Sequence, residues 1–501
     1  MQACDQEWGT LTNMKILEII ERSKAATRPL PLTWVFTHKF DKQGFLQKFK
    51  ARICVRGDLQ PLSEKETYAA TLAGKSFRML MALAAKWDLE IRQLDAVNAF
   101  PNSELDEEVY VELPEGFKVP GKVGRLLRAL YGLRRSPLLW QKLLSSALTE
   151  LGLQAGQEEP CLFLNDHLIV FFFVDDICYM FRACDQAIAD KFRDNLASRF
   201  KIRDLGELRW FLGIRVVRDR SQRRLWLCQD SYIESIAARF NLIDDRTPAT
   251  PMGTHQLVAN EDIADHATTH LYQRKIGSIL YPAIITRPDI AFTAARLSNF
   301  LTNPSPDHMA AANRCIQYLY GSRHLAILFD GRNADDKAFK VYTDASFADD
   351  LQDRKSTQGY LFILFGGPIA WKSGKQPTVT TSSTEAELLA LSTTAKEAIA
   401  AVRLFRDVRL QLNEDLTIWC DNTQTIRLVN EDMMRIQTAL RHVDIHNCWV
   451  RQEAKKGQFE VKYLPTNQMP ADGLTKALDR GKFEQFVAQL GLTPIPEIEI
   501  A

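Results

Sequence analysis

Leu168 to Phe181 reads LIVFFFVDDICYMF. Seven apolar residues, Leu168 to Val174, run into Asp175 and Asp176, and a second apolar run, Ile177 to Phe181, follows at once. Short apolar runs rich in β-branched and aromatic residues predict buried strands. Two such strands joined by Asp-Asp predict a hairpin. Two carboxylates held at a tight turn between apolar strands are costly unless a positive partner meets them. The usual partner for such a pair is a hard divalent cation, Mg²⁺ with Mn²⁺ as the alternative. A solvated polar turn is the competing reading, and the rest of the chain has to decide between the two.

Working outward, the 501 residues leave room for two to four domains. With 46% hydrophobic and 25% charged residues, the chain reads as globular. The formal net charge is +1, so nucleic-acid binding would have to rest on local basic patches. Nine cysteines are scattered without a C-x-x-C, which argues against a disulfide framework or zinc ribbon and favours a reducing compartment. No apolar run reaches the length of a membrane span, and Met1 to Ile20 holds no signal-peptide core.

Residues 1–31 read as a short helix and a linker. Trp34 to Phe40 and Phe45 to Val55 read as a hairpin whose return strand carries Lys48, Lys50, Arg52 and Arg56. Alternate residues of a strand share a face, so these cations form a basic stripe suited to a triphosphate or a template backbone, or simply a solvated face. Leu89 to Phe100 alternates and places Asp95 near a strand end. Asp106 to Glu108 reads as a solvated acidic run, and Leu126 to Trp140 as a helix broken at Gly132 and Ser136-Pro137. Ser231 with Glu234 suggests a capping box. Helical patterns dominate from about residue 231 to 322, and a new α/β pattern starts near 336. Thr381 to Leu404 is the clearest helix in the chain.

If the Asp95 strand neighbours the Asp-Asp hairpin, three carboxylates meet at one sheet edge. Such a set can hold two divalent cations roughly 3.5–4 Å apart, an arrangement suited to phosphoryl transfer. The ordered segments WVFTHKFDKQG, FKARICVRGDLQ, QLDAVNAF, LDEEVYVELPEGF, LYGLRRSPLLW, FVDDI and LGELRWFLGI resemble the reverse transcriptase of copia-type LTR retrotransposons. The resemblance implies a right-hand polymerase with fingers, palm and thumb, using Asp95, Asp175 and Asp176 as metal carboxylates. It further implies that Lys50 and Arg52 belong to the fingers stripe and that Phe100 excludes a ribose 2′-hydroxyl. Pro101, directly after Phe100, departs from the family, where another apolar residue is usual; it is tolerated in the first turn of a helix and disruptive elsewhere.

The later segments YTDASFADD, SSTEAELLALSTTAKEA, WCDNTQTI and LPTNQMPADGLTK resemble the ribonuclease H module that ends copia-type polyproteins. By that resemblance Asp344, Glu387, Asp421 and Asp472 are metal carboxylates, again with two ions, for cutting the RNA strand of a hybrid. Glu385 competes with Glu387 for the helical position. Ser382 to Glu385 forms an S-x-x-E capping box, which assigns Glu385 a structural task and favours Glu387 as the ligand. His442, His446 and Cys448 lack a second cluster to complete a zinc site, and read as packing or nucleic-acid contacts. Trp371, Lys372 and Lys375 read equally as hybrid contacts or a solvated hairpin tip.

The expected architecture is therefore α+β and α/β: a linker at 1–31, fingers and palm at 32–240, a helical thumb or connection at 241–335, a ribonuclease H-like domain at 336–480, and a C-terminal helix and tail at 481–501. Expected partners are RNA template, DNA primer, RNA–DNA hybrid and deoxynucleoside triphosphates, with no membrane and the oligomeric state open. The resemblance implies the cytoplasm, including virus-like particles, with access to the nucleus. No capsid, protease or integrase motif is visible, so the chain reads as a processed product, a fragment or an element-derived gene. Two alternatives stand beside an active enzyme: a catalytically inactive remnant that at most binds nucleic acid, and a nuclease with an idle polymerase fold.

Overall fold

A computed structural model describes the chain outside residues 41–45, 62–63, 245, 333–337, 413, 432–440 and 497–501, and outside the side chains of 39–40, 46–47 and 441–443. The chain packs into two compact units, Met1–Leu72 with Ile91–Glu207, and Ala73–Glu90 with Leu208–Ala501. This division follows packing, whereas the boundaries read from the sequence follow motifs.

The first unit is built on a six-stranded sheet in the order Ile202–Glu207, Glu90–Ala96, Asp176–Phe181, Leu168–Phe173, Leu162–Leu164 and Gln154–Ala155. The predicted acidic hairpin is present at its centre, with Phe173 paired to Asp176. Its turn is Val174-Asp175 rather than Asp175-Asp176, so Asp176 opens the return strand. Val170, Phe171, Phe172 and Ile177 to Phe181 are buried on both sides, which explains the unbroken apolar runs.

A basic hairpin, Leu32–Phe40 with Leu46–Val55, stands apart as a two-stranded sheet. Residues 1–31 do more than link. The helix Gln2–Asn13 buries Leu11, and the strand Leu17–Glu21 pairs with Lys122–Arg128. Leu11 and Ile16 share a core cluster with Ile53, Val55, Val111 and Leu126. Leu126 to Trp140 is likewise not one broken helix. It begins in the strand Lys122–Arg128, turns, and restarts as the helix Ser136–Glu150. Non-local pairing with Leu17–Glu21 and Glu104–Val111 overrides the local helical signal there. The acidic run is solvated as expected, with Asp106 and Glu108 exposed, and the Arg135 guanidinium bonds Asp106 and holds its carboxyl below the usual range.

In the second unit, one five-stranded sheet runs Gly367–Lys375, Thr357–Leu364, Phe339–Ser346, Thr417–Cys420 and Glu460–Tyr463. The first three strands are antiparallel and the last two join in parallel. The long helix Ser383–Asp407 packs against the central strand with Leu388, Leu391, Ala395 and Ala398 buried. Another five-stranded sheet gathers Trp210–Phe211, Ile214–Asp219, Arg224–Cys228, Leu325–Asp330 and Leu492–Pro494. The helices His266–Ile285, Ala291–Ser298 and Pro306–Gly321 fill the middle of the sequence as expected. The capping box expected at Ser231 does not form, because Asp230 already begins that helix and accepts the Ser231 N–H. Among the described residues no helix is long and apolar enough to cross a membrane.

One close approach fixes the first unit near its basic hairpin. Gly132 has φ +92°, and a Cβ there would fall 2.1 Å from the Val55 carbonyl oxygen. Val55 N–H donates to Tyr131 O at 2.7 Å across this contact. Gly132→Ala is expected to destabilise this unit by at least about 1–3 kcal/mol from backbone conformation alone, measured by urea unfolding; an unchanged midpoint would contradict the fit described here.

Candidate active sites

The strands Glu90–Ala96 and Asp176–Phe181 are neighbours, so Asp95, Asp175 and Asp176 lie at the same end of the sheet. The Ala96 N–H donates to Asp175 O at 2.9 Å, and the Gln93 amide donates to Asp176 Oδ1 at 3.1 Å. Burial, the adjacent Asp175 charge and, more weakly, Asp95 push the Asp176 carboxyl above its ordinary range, against the Gln93 hydrogen bond. The turn that presents Asp175 is strained: Val174 has φ +56°, a left-handed conformation that β-branched residues rarely adopt. Two hydrogen bonds hold it there, from Ala96 to Asp175 O and from the Trp140 indole to Val174 O at 2.7 Å. Trp140 is fully buried on the helix Ser136–Glu150, so the helix sets the turn.

A cavity of about 1090 Å³ opens over this edge. Asp95 and Asp175 line it together with Lys48, Lys50, Arg52, Tyr131, Lys201 and Arg203. Lys48, Lys50 and Arg52 thus share a face, as alternation on a strand requires. Arg56 leaves the stripe, since it lies beyond the strand end and pairs with Asp58 at 2.7 Å on the surface.

Phe100 is not among the lining residues. It packs on the Tyr131 ring with centroids 4.9 Å apart, and Arg52 lies 5.0 Å over the same ring. Burial pushes the Tyr131 phenol up to about 12, so the ring presents a neutral hydroxyl. Pro101 is buried in the first turn of the 3₁₀ helix Phe100–Asn102, where its missing N–H is no loss.

Several cavity residues escaped the sequence reading. Tyr131 and Arg203 are two, the latter facing Asp95 at 3.7 Å from the neighbouring strand. Glu7 on the N-terminal helix is a third; its carboxyl is raised by burial, against the pull of Lys50 and Arg52. Only pairing across the sheet and packing of the first helix bring these groups in, and the sequence carried no signal for either.

In the second unit, register assembles the other set. The strands pair in parallel with Val341 opposite Ile418, which places Asp344 and Asp421 three residues further on at one level. Asp344 and Glu387 are each 5% exposed. Asp472 sits in the 3₁₀ turn Pro470–Leu474, which packs against the Asp344 strand. Burial pushes the Asp344 carboxyl up to about 7, with Asp421 and Asp472 adding to the shift and the Thr475 hydroxyl opposing it. Glu387 is raised well above the carboxylate range by burial and then by Asp344 and Asp421.

Two consecutive residues support this set. The Thr475 hydroxyl donates to Asp344 Oδ2, and the Lys476 ammonium pairs with Asp472. Burial works against the Lys476 charge, but Asp472, Asp344 and Asp421 raise its pKa on balance. Thr466 donates to Asp421 Oδ2 at 2.8 Å. Glu385 plays the structural part expected of it: Ser382 accepts its N–H at 3.2 Å, and its own carboxylate accepts from the Thr381 backbone and hydroxyl.

These residues fit divalent cations. Glu387 Oε2 is a buried oxygen without a hydrogen-bond partner. A carboxylate oxygen of Glu387 and one of Asp421 lie within 4.8 Å of each other. Buried carboxylates that raise each other's pKa are the electrostatic complement of a cation.

Two other expected contacts come out differently. Trp371 donates to Ala283 O at 2.7 Å and stacks with the Arg78 guanidinium at 4.1 Å, and Lys375 pairs with Asp350 and Asp353. Both are engaged within their own unit, and Lys372 alone of the three is exposed. His446 Nδ1 meets the Ser392 hydroxyl at 2.7 Å, a packing role, while the His442 side chain lies outside the described residues.

The raised Asp344 pKa makes a prediction. Between the ordinary 3.8 and about 7, the folded chain binds more protons than the unfolded one, so stability falls as pH rises through that window. The slope for this one group is at most about 1.4 kcal/mol per pH unit. Urea unfolding in EDTA between pH 4 and 7 is expected to show that decline, and Asp344→Asn to reduce it. An identical slope in the variant would refute the assignment.

The family model described as reverse transcriptase (RNA-dependent DNA polymerase) matches residues 14–254. The retrovirus-related Pol polyprotein from transposon TNT 1-94 of Nicotiana tabacum is 34% identical over 98% of this chain. A Pol polyprotein from transposon RE1 of Arabidopsis thaliana is 32% identical over 92%. The chain spans only 38% and 32% of those two relatives. It spans all of a putative transposon Ty5-1 protein of Saccharomyces cerevisiae, 30% identical over 61% of this chain. Among solved structures, a foamy viral protease-reverse transcriptase in complex with double-stranded DNA superposes with a TM-score of 0.52 at 15% identity, over 93% of this chain and 69% of that one. That likeness gives the fold: a reverse transcriptase polymerase fold. The chain belongs to the reverse transcriptase family, as a reverse transcriptase-containing Pol region of the copia type.

Proposed function

We propose that this chain is an RNA-directed DNA polymerase that also cleaves the RNA strand of RNA–DNA hybrids. The observation that carries the proposal is the pair of separate carboxylate clusters, one on a sheet edge of each unit. In this reading the six-stranded sheet is the palm, the basic hairpin the fingers, and the helices from His266 to Gly321 the thumb or connection. The five-stranded sheet carrying Asp344 is the ribonuclease H-like domain.

Asp95, Asp175 and Asp176 would hold two Mg²⁺ or Mn²⁺ ions, and Asp344, Glu387, Asp421 and Asp472 another two. Bound cations of this kind lower the pKa of an attacking hydroxyl or water and neutralise charge on the phosphate. The protein's part is placement. Lys50 and Arg52 offer cations to a triphosphate across the cavity from Asp95 and Asp175, and the guanidinium matches phosphate geometry. Phe100 braces the Tyr131 ring, which lines the cavity, and would act on a ribose through it. Asp344 and Glu387, largely shielded from water, are kept in place by Thr475 and the Ala345 N–H. The proposed substrates are a DNA primer on an RNA template, deoxynucleoside triphosphates, and the hybrid that results. We place this activity in the cytoplasm, in virus-like particles, with nuclear access for the product.

Primer extension on an RNA template and release of labelled RNA from a hybrid, both with Mg²⁺, test the two activities. Asp176→Asn is expected to lower extension by on the order of 10²-fold or more and spare cleavage, and Asp421→Asn to do the reverse. A wild-type chain inactive in both assays would show an inactive remnant instead. Phe100→Ala is expected to raise ribonucleotide incorporation relative to deoxynucleotide at least about tenfold; an unchanged ratio removes Phe100 and its Tyr131 wall from nucleotide selection.

A further inference from the structure

Cys420 has no part in the hard-cation chemistry above, yet its sulfur stands inside the second carboxylate cluster. It ends the strand Thr417–Cys420 and immediately precedes Asp421. The thiol is fully buried, and its sulfur accepts the Asn422 N–H at 3.4 Å. Its Sγ lies within 4.8 Å of carboxylate oxygens of both Glu387 and Asp421. An independent observation points to a ligand at this spot: Glu387 is 5% exposed, and its Oε2 has no hydrogen-bond partner.

We propose that Cys420, Glu387 and Asp421 form a capture site for a soft divalent cation, zinc or cadmium, which overlaps the cradle for the hard cation. Thiolate ligands select zinc, cadmium and other soft ions, whereas Mg²⁺ takes oxygen only. One sulfur and two carboxylate oxygens are a workable three-ligand set, with a water as the fourth. At ordinary zinc bond lengths, neighbouring ligand atoms of a tetrahedron lie roughly 3.3–3.5 Å apart. With all three atoms within 4.8 Å of one another, the cluster has to close by at most about 1.5 Å, within reach of side-chain torsions. Binding forms a metal–sulfur bond and breaks the S–H bond, and the proton leaves to solvent. No electron is transferred. A soft ion so held occupies the oxygens of Glu387 and Asp421 and keeps Mg²⁺ from them. That inhibitory consequence rests on the nuclease reading, but the capture itself does not.

The experiment uses the full chain with Cys184→Ser and Cys448→Ser, which removes the exposed thiols. Cadmium is titrated while the ultraviolet thiolate-to-cadmium charge-transfer band is recorded. The expected result is a band that saturates near one equivalent, is lost in Cys420→Ser and weakens at least about tenfold in affinity in Asp421→Asn. An equal band in Cys420→Ser overturns the proposal. Circular dichroism checks that each variant folds. Should Cys420→Ser not fold, alkylation of the unsubstituted Cys420 followed by mass spectrometry decides: protection by cadmium supports the site, and equal modification with and without cadmium overturns it. In a second arm, zinc is added to hybrid cleavage in Mg²⁺, each variant scaled to its own zinc-free rate, and the half-inhibiting concentration is expected to rise at least about tenfold in Cys420→Ser. Cleavage equally zinc-sensitive in both overturns the inhibitory role. If no cleavage occurs at all, the nuclease reading fails while the cadmium arm still decides the site.

Discussion

Asp344, Glu387, Asp421 and Asp472 repel one another, and burial removes the water that would screen the repulsion. The sheet permits no escape. Asp344 and Asp421 are locked at one level by the parallel pairing of their strands, and Glu387 is carried in by a helix whose buried stripe fixes its rotation. The chain answers with single hydrogen bonds and one ammonium rather than with full neutralisation: Thr475 on Asp344, Thr466 on Asp421, Lys476 on Asp472. Burial first, and then the neighbouring carboxylates, keep the Asp344 and Glu387 carboxyls raised despite these partners. Such a cluster is a standing demand for cations, and the same electrostatics underlies the first site in milder form.

The two sites differ in how they are shielded. Asp95, Asp175 and Asp176 are half-buried along an open cavity whose other residues include Lys48, Lys50, Arg52, Lys201 and Arg203. A site ringed by cations suits a highly charged substrate such as a triphosphate. The second set is deeper, with Asp344 and Glu387 largely shielded from water and the Thr475 hydroxyl and Lys476 ammonium among the donors beside the set. The first site concentrates its strain in one place, the left-handed Val174, and secures it from two directions with the Trp140 indole and the Ala96 amide. A buried tryptophan thereby governs the position of Asp175.

Much of this was legible in the residue string. The apolar runs flanking Asp175 and Asp176 are long because both faces of that hairpin are covered, so the hairpin could be read directly. The helix Ser383–Asp407 announced itself by its stripe and its cap, and the cap separated Glu385 from Glu387. The strand Lys122–Arg128 could not be read. Its residues favour a helix locally, and only the distant strands Leu17–Glu21 and Glu104–Val111 make it a strand. Trp371 and Lys375 had the composition of nucleic-acid contacts, but Ala283, Arg78 and Asp350 engage them within their own unit. Tyr131, Arg203 and Glu7 were silent for the same reason, since nothing near them in sequence marks what they face.

The sequence alone carried the family pattern and most of the local elements, because these depend on residue type and short-range spacing. Tertiary structure alone decided which carboxylates share a sheet edge, how far each is shielded, and which threonines, lysines and cysteines stand beside them. Strand order and register are set by pairings between residues tens to hundreds of positions apart, and no local pattern encodes a partner that distant.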